Sequence, residues 1–309
     1  MIQYFAIDKN FKKIDDYESG CWINVINPSQ NEVNDICGKF NLPDYFLTDI
    51  ADIEERPRTD REDGWTYAII QVPKMSKNDD GDFIYSTVPM ALMFKDFLFI
   101  TAYYNDNDII TNFIKWKKQR NITEYTVQNV FLALFFEAAF HYLKYLKQIH
   151  AQMKRSEKRI KEKMNQDSLE RIMHIEKYLV YFISSMRGNE SFLMRIKRYF
   201  SNVKYDEDLL EDSEIELHQA ITTANIYSNI IEHQQSSYSA IISNNLNNTM
   251  KNMTMITICL MCAALVPGFY GMNLINGLET CSFGLVIAIV LTIVSGIGGY
   301  FICKKFKVF

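Results

Sequence analysis

Two stretches near the C-terminal end of this 309-residue chain carry no charged side chain, one between Lys251 and Glu279 and one between Glu279 and Lys304. The first contains MTMITICLMCAALVPGFYGMN and the second FGLVIAIVLTIVSGIGGYFIC. About twenty residues rising ~1.5 Å each cross the roughly 30 Å hydrocarbon core of a bilayer. In that core every backbone polar group has to be satisfied inside the segment, which leaves the helix as the available conformation. Two transmembrane helices are therefore expected, over 252–273 and 283–303, with a short outer loop at 274–282. A soluble hairpin this apolar needs a larger core than the other 250 residues can wrap.

The cations beside these spans set an expected orientation. Lys251 precedes the first, Lys304, Lys305 and Lys307 follow the second, and the loop between them has neither Lys nor Arg. The positive-inside rule then puts both chain ends in the cytoplasm, with 304–309 as a basic tail and the loop outside. Whole-chain averages hide this division. A net charge of −4 and a mean hydropathy of −0.13 suit an ordinary soluble protein. Residues 251–309, however, hold four Lys and one Glu, leaving 29 Lys and Arg against 36 Asp and Glu, a net −7, for residues 1–250. An acidic body excludes a polybasic lipid-binding module and a nucleic-acid partner held by net positive charge, and it suits encounters with cations. Six Cys make no disulfide framework, and nothing at the N-terminus resembles a signal peptide.

Residues 1–121 read as an α/β domain. MIQYFAI, CWINVI, WTYAIIQVP, STVPMALMF and FLFITAYY are short β-branched and aromatic runs bounded by Gly, Asn and Asp. Pro28 to Glu32 reads as a helix start with Val33, Ile36 and Phe40 at helical spacing, and Pro43–Ile53 as a second helix. Glu54–Asp63 and Asp79–Asp82 are expected to be loops. From 122 to 251 long helices take over: Thr126 to about Asn165, Ser168 to about Arg198 with a possible break near Gly188, and a third from about Asp206. That third helix meets no Gly or Pro before Pro267, so it runs about 60 residues, on the order of 90 Å, as a stalk leading into the first span. VFLALFFEAAF is too short to span a bilayer and carries Glu137, so a buried packing face is expected there.

The first span ends in Tyr270-Gly271-Met272-Asn273. With the spans, the stalk, the α/β domain and the basic tail, this resembles the CorA family of magnesium channels, whose signature is Gly-Met-Asn at this place. Asn247, Met250-Lys251 and Thr254 are similar to the family's approach to the first span. CWINVINPSQNEV and IADIEERPRTDREDGWTYAII are similar to its N-terminal domain. The resemblance covers essentially the whole chain. The fold class expected is an α+β membrane protein: an N-terminal cytoplasmic α/β domain, a long helical stalk and two C-terminal transmembrane helices.

The resemblance implies a homopentamer in the cell membrane that passes Mg²⁺ inward and is held shut by regulatory Mg²⁺ bound between cytoplasmic domains. It implies no organic cofactor and no nucleic-acid partner. Gly271, Met272 and Asn273 become the selectivity filter, with Asn273 meeting the metal. Independently of the family, neutral carbonyl oxygens suit a hard cation that dehydrates reluctantly, because they bond its water shell without trapping it. Asn247, Met250, Met253, Thr257, Met261, Ala264 and Gly268 recur at three- and four-residue spacing and share one helical face. The family's pore-lining first span makes that face the conduction path. Asp212, in LLEDSEIE, aligns with an acidic ligand of the family's regulatory site; on its own the run reads as a solvated helix start.

The chain departs from the family at Cys262, where a mid-span proline is common, at Ala264, where a hydroxyl is, and in the outer loop, whose one acid is Glu279. Cys259 and Cys262 read as small-residue packing, as do Ser295, Gly296, Gly298 and Gly299. Three other readings stand beside a magnesium channel. They are a zinc, cobalt or nickel transporter of the same architecture, a non-conducting cation sensor or scaffold, and an enzyme built on carboxylates of Asp60–Asp63. No nucleophile, Cys/His metal set or phosphate loop supports the enzyme.

Overall fold

The computed structural model describes residues 1–78, 81–104, 108–115, 122, 124–162, 166–200, 204–272 and 283–305. They form two compact units, Met1–Glu232 and His233–Phe309. The first unit is built on a seven-stranded sheet of β1 (Ile2–Ala6), β2 (Lys13–Ile14), β3 (Cys21–Ile26), β4 (Arg58–Glu62), β5 (Trp65–Lys77), β6 (Phe83–Lys95) and β7 (Leu98–Tyr103). The order is β2-β1-β3-β7-β6-β5-β4, and β3 with β7 is the parallel pair in an otherwise antiparallel sheet.

Both faces of the central strands are covered, which is why CWINVI and WTYAIIQVP read as near-continuous apolar runs. Helices α1 (Gln30–Phe40) and α2 (Tyr45–Thr48) lie on one face, where Val33, Ile36, Phe46 and Leu47 pack with Ile23, Val25, Tyr67, Ile69 and Met93. Helices α4 (Val127–Glu162) and α5 (Gln166–Tyr199) cover the other. Phe94 meets Phe131 at 5.7 Å between centroids, and Tyr142 meets Phe182 edge-on at 5.0 Å. Helix α6 (Glu207–Tyr270) adds Leu217, Ala220 and Ala224 to the buried set of the first unit.

The expected helix start at Pro28–Glu32 is present. The Ser29 side chain accepts from the Glu32 N–H, the Glu32 carboxylate accepts from the Ser29 N–H at 2.8 Å, and Asn41 closes α1 in the left-handed region at φ 51°. The second helix is shorter than Pro43–Ile53: α2 gives way to a 3-10 turn at Asp49–Ala51.

The charged stretch expected as a loop contains strand β4. RTDRE shows no apolar alternation because it is a sheet edge, where charge blocks pairing with another chain. Arg58 holds the strand to its surroundings through Asp49, Glu55 and Asp60, the last at 2.8 Å. Asp63 and Gly64, at φ 50° and 82°, make the two-residue turn that favours a hairpin. Strand β2 and helix α3 (Ile109–Lys115) were also not foreseen, being two and seven residues long. Of the expected Asp79–Asp82 turn, Asp79 and Asp80 lie outside the described residues.

Gly188 does not break α5. A Cβ there would lie 2.7 Å from the Pro57 Cγ, so the glycine lets the helix approach the chain just before β4. One residue on, Asn189 completes the sheet. Strand β4 pairs with β5 as far as Arg58 with Ile69, so Arg56, the position that would face Gln71, lies beyond the end of the strand. Gln71 therefore donates its N–H to the Asn189 Oδ1 at 2.9 Å, and the Asn189 Nδ2 donates to the Gln71 carbonyl at 2.7 Å. The Tyr142 hydroxyl reaches the same carbonyl at 3.0 Å.

Replacing Asn189 by Leu strands the buried Gln71 N–H, while the carbonyl keeps Tyr142. The expected cost is about 1–3 kcal/mol, read as a lower thermal midpoint of the detergent-solubilised chain. An unchanged midpoint would refute the strand-completing role.

Candidate functional site

The site expected from sequence lies in the second unit, on the C-terminal part of α6 and on α7 (Gly284–Lys305). Both helices have the length and composition to cross a membrane, with mean hydropathies of 1.8 and 2.4 over their most apolar windows. They meet through small residues. The Ser295 hydroxyl donates to the Cys262 carbonyl at 2.7 Å. A Cβ on Gly296 would lie 3.5 Å from the Ala263 Cβ, and one on Gly299 only 3.1 Å from the Cys262 Sγ. Gly298, grouped with these in the sequence, has open space where its Cβ would be and plays no part in this contact. Cys259 and Cys262 are free thiols in the packing face.

That contact uses one side of α6, and the expected stripe occupies the other. At about 100° per residue, the seven residues Asn247, Met250, Met253, Thr257, Met261, Ala264 and Gly268 fall within an arc of roughly 120°. Cys259, Cys262 and Ala263 lie opposite that arc. All seven stripe residues are exposed in the single chain, Met250, Met253 and Met261 at 67%, 66% and 64%. The Thr257 hydroxyl donates to the Met253 carbonyl at 2.9 Å, as Thr254 does to Met250, so each offers outward only oxygen lone pairs. Beside the stripe, Met261, Leu265, Gly268, Phe269 and Met272 line an open apolar groove of about 600 Å³. Leu265 and Phe269 were not singled out from sequence because they sit a fraction of a turn off the repeat.

Pro267 lies inside α6 without breaking it. The last turn closes through Gly271 N–H to the Pro267 carbonyl at 2.8 Å and Met272 N–H to the Phe269 carbonyl at 3.3 Å. Gly271 directly follows the last helical residue, Tyr270, and is not in the left-handed region. A Cβ there would stand 3.3 Å from the Pro267 carbonyl oxygen, and close approach is what glycine provides. Asn273 and the loop carrying Glu279 lie outside the described residues.

The acidic run at the start of α6 sorts into separate roles. Asp206 accepts from the Leu209 N–H at 3.1 Å, capping the helix, while its own N–H is held by the buried Asn129 at 2.8 Å. Glu214 pairs with Lys197 at 2.7 Å. Asp212 is exposed, as are Glu207, Asp208 and Glu211. Among the described residues no group of three or more His, Cys, Asp or Glu side chains converges to hold a metal ion, so Asp212 is at most part of a site within one chain.

Residues 17–305 match the protein family described as CorA-like Mg²⁺ transporter protein. The cobalt/magnesium transport protein CorA of Methanocaldococcus jannaschii is 22% identical over 283 residues, covering 88% of this chain and 87% of that one. The complete structure of the CorA magnesium transporter from the same organism superposes with a TM-score of 0.82 at 20% identity, over 99% of this chain and 98% of the other. The full-length CmaX protein superposes with a TM-score of 0.71 at 12% identity, over 99% and 97%. These likenesses establish the fold: an α/β domain, a long helix and two C-terminal apolar helices.

Gly299→Leu is expected to separate α6 from α7 and to destabilise the pair by about 1–3 kcal/mol, whereas Gly298→Leu meets open space. Thermal denaturation in micelles distinguishes them, and equal midpoints for the two variants would refute the assigned packing face.

Proposed function

The chain belongs to the CorA family of Mg²⁺ transporter proteins, and from that premise we propose that it is a channel for passive influx of hydrated Mg²⁺. The observation that carries the reading is the division of α6 into two sides: α7 takes one, and the other bears Met250, Met253, Thr257, Met261, Ala264 and Gly268 exposed along the helix. A helix with that exposed stripe and an apolar groove beside it needs further copies of itself around it. In a pentamer, the count implied by the family, the stripes face one another and enclose a path. Met250 and Met253 then form an apolar constriction that closes by dewetting, and the Thr257 oxygens accept from the ion's water shell.

Gly271, Met272 and Asn273 form the filter in this reading, with the Asn273 carboxamide as a neutral ring that bonds the hydrated ion without holding it. The driving force is electrical: a divalent cation gains about 4.6 kcal/mol per 100 mV, twice the value for one charge. Residues 252–273 and 283–303 lie in the membrane, 274–282 form the outer loop, and both termini are cytoplasmic. The body, 1–121 with 122–251, senses internal Mg²⁺ through Asp212 and a ligand from a neighbouring copy. Cobalt is a second cargo on this reading, because the M. jannaschii relative is named for cobalt as well as magnesium.

Two substitutions test the proposal in proteoliposomes. Asn273→Ala abolishes Mg²⁺ influx while insertion and assembly persist, and wild-type flux would sink the filter assignment. Asp212→Lys raises the internal Mg²⁺ concentration needed to close the channel, by about tenfold if one carboxylate ligand is lost. Unchanged inhibition would remove Asp212 from the sensor.

A further inference from the structure

A cleft of about 560 Å³ opens in the first unit between α4, α5 and the β5–β6 hairpin, far in sequence from the spans. Its charge contrasts with the acidic body. Among the described lining residues Arg155, Arg171 and Lys177 stand with Asp82 as the one acid, and His174, 3.9 Å from the Glu170 carboxylate, stands among them. The Asp82 carboxylate holds Arg171 at 2.9 Å. Arg155 is exposed and makes no ion pair among the described residues, and Lys177 sits over the Tyr181 ring at 5.7 Å. With Arg171 taken by Asp82, Arg155 and Lys177 are the cations of the lining left without an ion pair among the described residues, and like charges side by side favour an anionic ligand.

The second feature of the cleft is aromatic. Tyr181 and Phe83 are 46% and 40% exposed, so each leaves ring surface open. Lys77 lies 5.3 Å from the Phe83 ring centre, so both open rings stand beside a cation. The floor of the cleft carries the Tyr85 hydroxyl, which donates to the Gln148 Oε1 at 3.0 Å. The volume suits a single small molecule. Stacking on an aromatic ring contributes about 1–3 kcal/mol per base, and charge-assisted bonds to phosphate strengthen the hold.

We propose that this cleft binds a nucleoside polyphosphate, with Arg155 and Lys177 on the phosphates and the base stacked on Tyr181. Arg171, held by Asp82, bounds the phosphate end. The site is independent of the pore reading and of Asp212, so its test neither needs nor uses ion flux.

The test uses the full-length chain in detergent micelles with EDTA present, and titrates it calorimetrically with ATP, adenosine and inorganic tripolyphosphate. ATP is expected to bind saturably, one per chain, with adenosine and tripolyphosphate each weaker by about tenfold or more. Arg155→Glu and Lys177→Glu each weaken ATP and tripolyphosphate alike by about tenfold. Tyr181→Ala weakens ATP by about tenfold and leaves tripolyphosphate unchanged. All three side chains are exposed, and unaltered circular dichroism of the variants is measured alongside. No saturable ATP binding, tripolyphosphate equal to ATP, or variants that bind ATP as the wild type does would each overturn the proposal.

Discussion

The close approach of Ser295, Gly296 and Gly299 to Cys262 and Ala263 determines what the rest of α6 is free to do. In hydrocarbon there is no hydrophobic gain from pressing two apolar helices together, so van der Waals contact between small residues and occasional hydrogen bonds hold the pair. The Ser295 hydroxyl supplies such a bond, to a carbonyl one turn before Pro267. With one side of α6 committed in this way, the Met and Thr stripe can only face lipid or another copy. The threonine hydroxyls on this side are satisfied by carbonyls of their own helix and tolerate lipid, so the argument for a self-assembled path rests on the regular stripe and on the family to which the chain belongs.

A different constraint governs the first unit. Its sheet is covered on both faces and ends at β4 in a strand of charged residues, so the edge is closed by electrostatics and by one amide side chain. Asn189 substitutes for the strand residue that would face Gln71 beyond the end of β4, and Gly188 makes room for it to arrive. The two adjacent residues have one purpose, and neither alone suffices. The buried contact of the Glu137 carboxylate with the His141 Nδ1, at 3.1 Å on α4, is the internal counterpart of the same economy. A polar side chain inside VFLALFFEAAF is tolerated because a hydrogen-bonding partner sits one turn away, with Asn112 closing the far side of the imidazole at 3.1 Å.

Elements whose signal is local and periodic were legible in the sequence. Both apolar helices, the capping box of α1, the main strands and the long helices α4 to α6 follow from composition windows, cap residues and the 3.6-residue repeat. What escaped has a shared physical cause. Strand β4 is an edge whose pairing is decided by a turn and an arginine network, so RTDRE shows no period. Gly188 looked like a helix break because its value lies in Pro57, more than a hundred residues away in sequence. Gly298 and Gly299 are neighbours of one type, yet only Gly299 faces Cys262. At the site itself, spacing placed on one face seven residues, all exposed in the single chain. It did not find Leu265 and Phe269, which border the same groove a fraction of a turn away.

The distribution of charge links these parts into one argument. The stripe on α6 is neutral throughout, although the chain has 36 acids available in residues 1–250. A carboxylate on that stripe would bind a divalent cation tightly and slow its release, whereas neutral oxygens allow both loading and discharge. At the start of α6, away from that stripe, acids cap the helix at Asp206, pair with Lys197 at Glu214 and stand exposed at Asp212. The cationic cleft at Arg155 and Lys177 runs against this acidic background. Among the described residues Arg155 makes no ion pair, so its charge is free for an anion from outside the chain. On that ground a negatively charged ligand, and not a second metal ion, is what the cleft is suited to hold.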